Sequence, residues 1–153
     1  MRSNAHSRSD LKFHIVFCTQ CRQKILTAEL VPVVEKGMRV AVWSVGGICT
    51  AMAVKPDHVH LVCELPPSAS IPALVSKLKM GSTIALLEHA AQTGTAHPQS
   101  MRWARGYFVG SIGDGTTYRV EQYVANQRQY CIGFYRHSRR KKGVKWQRNG
   151  PTS

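Results

Sequence analysis

The stretch Pro56-Asp57-His58-Val59-His60-Leu61-Val62-Cys63-Glu64-Leu65 constrains this chain more than any other. Val59, Leu61, Cys63 and Leu65 alternate along it and are all apolar, the pattern of a strand with one face in a core. Successive side chains of a strand point to opposite faces, so His58 and His60 share the other face, one pleat apart. The core then lies on one side of this strand and the histidines project from the other. A lone histidine is usually a satisfied core group, whereas two imidazoles at this separation can also grip one metal ion. Spacing alone leaves both readings standing.

A second alternating run lies nearer the N-terminus. Leu11, Phe13, Ile15 and Phe17 form one face of residues 11–18, and Lys12, His14, Val16 and Cys18 the other, so His14 falls on the polar face of a half-buried strand. A polar loop follows over 19–27, carrying Arg22 and Lys24. Leu30, Val33, Val34, Met38, Ala41 and Val42 fit a helical period over 30–43. Pro32 fits only in that helix's first turn, and Gly37 is expected to weaken it. Gly46-Gly47 ends the helix, residues 48–54 read as a strand, and Lys55-Pro56-Asp57 is a tight turn into the histidine strand, 58–65. Pro66-Pro67-Ser68 closes it.

Ser70 is a suitable N-cap with Pro72 in the first turn. Ile71, Leu74, Val75, Leu78 and Ala85 then form a helical stripe to about His89, with Lys77 and Lys79 off it. Residues 92–100 read as a loop and 103–112 as a strand whose glycines mark a bulge. Gly113-Asp114-Gly115 is a flexible turn, and a third helix is expected over 117–129.

The order β-α-β-β-α-β plus a C-terminal helix is the ferredoxin-like, RRM-like α+β arrangement, with two helices on one face of a four-stranded antiparallel sheet. His14, His58 and His60 would share its open face, where the third helix can dock. Glu64 has the parity of that face, and an edge or solvent position is expected for it. Residues 1–10 are polar and expected to be frayed, residues 11–130 form a single domain, and residues 131–153 form a basic tail. No repeats suggest a second domain.

The chain has 153 residues with 21 Lys+Arg against 8 Asp+Glu, a net charge of +13. Such an excess favours a polyanionic partner, most commonly nucleic acid. Five cysteines, unevenly spaced, suggest no disulfide framework and a cytoplasmic location. Cys18 and Cys21 form a lone C-x-x-C without the second pair that structural zinc wants. The N-terminus lacks the apolar segment of a signal peptide, and no apolar run approaches the ~18 residues of a membrane span.

Tyr123 and Gln127 lie at i and i+4, on one face of the expected third helix. Alone they suit a buried amphipathic face. Beside a metal-binding pair, a tyrosine hydroxyl can also act as a nucleophile at a phosphate. His58-Val59-His60, followed by Tyr123-x-x-x-Gln127, resembles the single-tyrosine HUH transposases of insertion sequences that move as single-stranded DNA. The resemblance spans roughly residues 11–130, including Pro56-Asp57 in its hairpin and the Gly106-Tyr107-Phe108 strand.

The resemblance implies that Tyr123 attacks a phosphodiester in single-stranded DNA, forming a 5′-phosphotyrosine link and freeing a 3′-OH. It implies that His58, His60 and Gln127 hold Mg²⁺ or Mn²⁺. It also implies a homodimer with composite active sites acting on hairpin-ended DNA, with Tyr123 in cis or in trans. Lys12, Arg22, Lys24, Lys77 and Lys79 are candidate phosphate contacts or solvated cations. The basic tail is a DNA-binding arm or a solvated end. Two alternatives remain: a domesticated palindrome-processing nuclease with the same chemistry, and a non-catalytic nucleic-acid-binding module on the same fold.

Overall fold

A computed structural model describes residues 2–4, 7–95, 101–113 and 119. The domain is built from β1 (Lys12–Cys18), α1 (Val31–Ser44), β2 (Ile48–Lys55), β3 (His58–Glu64), α2 (Ile71–Thr93) and β4 (Phe108–Ile112). The sheet order is β2-β3-β1-β4 with every neighbouring pair antiparallel, the expected ferredoxin-like topology. The third helix over 117–129 and the basic tail lie outside the described residues.

The alternation read from the sequence sets the layers. Ile15 and Phe17 of β1 and Val59, Leu61 and Cys63 of β3 are fully buried in one cluster with Val34, Met38 and Val42 of α1 and Leu74, Leu78 and Leu86 of α2. Burying each large apolar side chain contributes roughly 1.5–3 kcal/mol, so this layer holds both helices to one face. The register pairs His14 with Val62, Val16 with His60 and Cys18 with His58 on the opposite face. Val62 and Ile112 make a small second cluster there with Ala51 and Ala53.

Pro32 sits in the first turn of α1, as expected. Gly37 has a different meaning from the weakness it suggested. A Cβ on it would lie 2.7 Å from the Gly81 carbonyl oxygen, and one on Gly81 would lie 3.0 Å from that of Gly37. The glycines let α1 and α2 touch backbone to backbone. Helix α2 runs past His89 to Thr93, where Gly94 ends it in the left-handed conformation with φ 67°.

Near the N-terminus, Arg2–Asn4 pairs antiparallel with Ser7–Ser9. Two further expectations are corrected. The last strand begins at Phe108, not at residue 103. Trp103 makes only an isolated bridge to Thr19; its ring packs edge-on against Phe17 and its indole donates to Ser82 Oγ at 3.1 Å. The carbonyls of Ala104 and Gly106 accept from Lys79 Nζ at 2.8 and 3.1 Å instead of from a strand. Glu64 lies on a central strand and is buried, not at an edge.

Candidate active site

Two central strands and one tight turn place the histidines. His60 is buried and His58 and His14 half-buried on the face away from the helices. The rings of His58 and His60 meet edge to face with centroids 5.1 Å apart. His14 reaches across from β1 and stacks on His60 at 5.3 Å, and its Nε2 lies 3.0 Å from His60 Nδ1. Phe108 of β4 closes the far side of His14, edge-on at 6.0 Å.

Each Nδ1 of the pair is thus engaged by a neighbouring group. His58 Nδ1 lies 2.6 Å from Asp57 Oδ1, and the other oxygen of that carboxylate accepts from Arg22 Nε at 3.0 Å. The turn beneath is tied to the loop after β1. Thr19 donates to the Asp57 carbonyl from its backbone nitrogen and from Oγ1, at 2.9 and 3.1 Å, and Leu26 N donates to the Pro56 carbonyl at 3.0 Å.

Burial holds His60 far below the usual imidazole range, to about 3, reinforced by repulsion from His58, His14 and Lys55. Burial also lowers His14. It lowers His58 as well, against the opposing pull of Asp57. For Asp57 itself, burial works to raise the pKa, but the hydrogen bonds and charges of His58 and Arg22 hold it below the usual carboxylate value. At neutral pH the site therefore presents neutral imidazoles, the form that ligates a metal, beside one anionic carboxylate.

The donor chemistry fits a divalent ion. Two imidazoles with their Nδ1 atoms engaged carry lone pairs on Nε2 in the matching tautomer, the usual arrangement behind metal-ligating histidines. Among the described residues, no group of three or more His, Cys, Asp or Glu is arranged to hold a metal. Cys18 shares the face across from His58. Burial pushes its thiol up, with Arg22 opposing, so it is a neutral and weak ligand. Tyr123 and Gln127 lie outside the described residues.

The candidate phosphate contacts divide. Lys24 is exposed. Lys12 lies beside Asp10 at 3.4 Å. Arg22 turns inward to Asp57. Lys77 donates to Ser44 Oγ on the helix layer. Lys79 is a strut: besides the two carbonyls, its ammonium sits 5.6 Å above the Phe17 ring, and burial lowers its pKa. His14 and Asp57 are the functional candidates that sequence reasoning undervalued. His14 had the right parity, and Asp57 directly precedes the histidine pair, but a turn aspartate has an ordinary local explanation.

The fold is a four-stranded ferredoxin-like sheet with a buried His60 and a half-buried His58 side by side on the face away from the helices. Residues 7–127 match the family model described as "Transposase IS200 like", and the chain belongs to that transposase family. It is 29% identical over 127 residues to the transposase for insertion sequence element IS200 of Salmonella typhimurium, covering 82% of each chain. It is 26% identical over 124 residues to the ISDra2 transposase TnpA of Deinococcus radiodurans, covering 76% of this chain and 84% of that one. A crystal structure from Deinococcus radiodurans, described as a transposase, superposes with a TM-score of 0.64 at 25% identity over 83% of this chain and 98% of that one. A REP-associated tyrosine transposase bound to a REP hairpin shares the fold, with a TM-score of 0.55 at 16% identity over 81% and 70%. No helix of the described residues is long and apolar enough to cross a membrane.

Proposed function

We propose that this transposase cleaves and rejoins single-stranded DNA at insertion-sequence ends through a 5′-phosphotyrosine intermediate. The observation that carries the proposal is the geometry of His58 and His60: side by side on the open face, neutral, each with Nδ1 held by a neighbouring group.

His58 and His60, completed by the side-chain oxygen of Gln127, would hold Mg²⁺ or Mn²⁺. Two imidazole nitrogens are softer than the all-oxygen sets that suit Mg²⁺ and favour Mn²⁺ for tighter binding. A bound ion would polarise a phosphoryl oxygen and offset charge at phosphorus. The Tyr123 hydroxyl would attack that phosphorus, its proton passing through solvent to the departing 3′ oxygen. A new bond joins the tyrosine oxygen to the 5′-phosphate, and the bond to the 3′ oxygen breaks, leaving a 3′-OH. Attack by a 3′-OH on the phosphotyrosine reverses the step and rejoins strands.

Residues 11–130 are proposed as the catalytic domain and 131–153 as a basic arm along the DNA backbone. The charge of +13 suits a hairpin-ended single-stranded substrate. Two copies would act together, Tyr123 reaching the histidine pair of its own or of the other copy. The test is incubation with single-stranded hairpin DNA. A covalent protein–DNA adduct is expected with Mg²⁺ or Mn²⁺, lost with chelator and in His58→Ala and His60→Ala. An adduct that forms equally well under chelation removes the ion from the reading.

A further inference from the structure

Arg22 lies in the polar loop after β1, where a cation ordinarily faces solvent. Here the chain folds back. Cys21 and Arg22 both adopt the left-handed backbone region, at φ 55° and 53°, which costs energy in any residue but glycine. The fold-back carries the guanidinium to Asp57, with Nε 3.0 Å from Oδ2 and a terminal nitrogen 3.8 Å from Cys18 Sγ. A partly exposed ion pair contributes little to stability, less than two left-handed residues cost. The backbone of the Asp57 turn is already fixed by Thr19 and Leu26. The pair therefore has a purpose other than closing the loop.

That purpose is visible on the other carboxylate oxygen, 2.6 Å from His58 Nδ1. We propose that Asp57, clamped by Arg22, is the positioning residue of His58: its carboxylate accepts the Nδ1–H and so confines the lone pair to Nε2. The inference rests on the reading of His58 as a metal ligand. The two ligands are then supported unequally. His58 Nδ1 faces a carboxylate oxygen, which makes its Nε2 the stronger donor, whereas His60 Nδ1 faces a ring nitrogen of His14. Arg22 holds the second oxygen of Asp57, which stops the carboxylate from rotating away.

The test reads the ¹⁵N imidazole shifts of His58 in the metal-free protein and, separately, Mn²⁺ affinity by calorimetry. The wild-type protein should show His58 fixed as the Nδ1–H tautomer. Asp57→Ala should show a tautomer mixture and bind Mn²⁺ about ten- to a hundredfold more weakly. Asp57→Asn keeps the shape and one acceptor oxygen, so it guards against misfolding and should fall between the two. An unchanged His58 tautomer in Asp57→Ala overturns the proposal. Mn²⁺ binding that survives His58→Ala overturns the metal reading alone, since the tautomer still decides whether Asp57 positions His58.

Discussion

His14 and His60, from adjacent central strands, stack with Nε2 of one 3.0 Å from Nδ1 of the other. Both are neutral at pH 7, because burial depresses both pKa values. One ring must therefore donate and the other accept. For His60 to offer Nε2 to an ion, its Nδ1–H must donate to His14. Replacing His14 with Ala removes that acceptor from a buried donor and should destabilise the protein by about 1–3 kcal/mol. Urea unfolding checks this, and Mn²⁺ affinity should fall in the same variant. A variant as stable as wild type would show that the contact contributes nothing.

The same burial predicts acid sensitivity. An unfolded histidine titrates near 6.5, whereas folded His60 is held to about 3 and His14 and His58 are also lowered. As pH falls below 6.5, the unfolded chain takes up these protons first, so stability rises with pH across this window. Asp57, whose folded pKa is also lowered, adds stability that is lost at the lower, carboxylate end. Metal-free protein should therefore lose stability steadily from pH 6.5 down towards 3. Urea midpoints at pH 7.5, 5.5 and 4.5 would show it, and equal midpoints would contradict it.

Gly37→Ala separates two opposing effects. Alanine in an exposed helix would gain about 1 kcal/mol over glycine. Here its Cβ would meet the Gly81 carbonyl at 2.7 Å, and pushing apart two packed helices costs typically about 1–3 kcal/mol. Net destabilisation by thermal unfolding is expected. A raised Tm would mean that the helices yield easily.

Lys24 and Lys79 should behave oppositely. Lys79 donates to the Ala104 and Gly106 carbonyls, so Lys79→Gln should lower stability by about 1.5–3 kcal/mol and leave the salt slope of DNA binding unchanged. Lys24 is exposed. If it contacts phosphate, Lys24→Ala should leave stability unchanged and reduce that slope by about one. Binding isotherms at several salt concentrations distinguish the two.

The contrast between these lysines shows what the sequence could express. Parity along a strand is local, so the faces of Ile15, His14, Leu61 and His60 could be read directly. Close approach is not local: Gly37 looks like a weak helix position until the helices are packed and it meets Gly81. Arg22 read as a phosphate contact or a solvated cation, because a left-handed fold-back leaves no mark without a glycine. Residues 103–107 carried strand-like composition, but Lys79, distant in sequence, takes the carbonyls a strand would have used. Asp57 was legible as a turn and became a site residue only through His58 and Arg22. The placement of Tyr123 and Gln127 rests on motif spacing.

The most direct measurement is mass spectrometry of the covalent adduct formed with single-stranded hairpin DNA. The account predicts a nucleotide 5′-phosphate esterified to Tyr123, and no adduct in Tyr123→Phe. A phosphate linkage mapped to any other residue, or an adduct that persists in Tyr123→Phe, would contradict it.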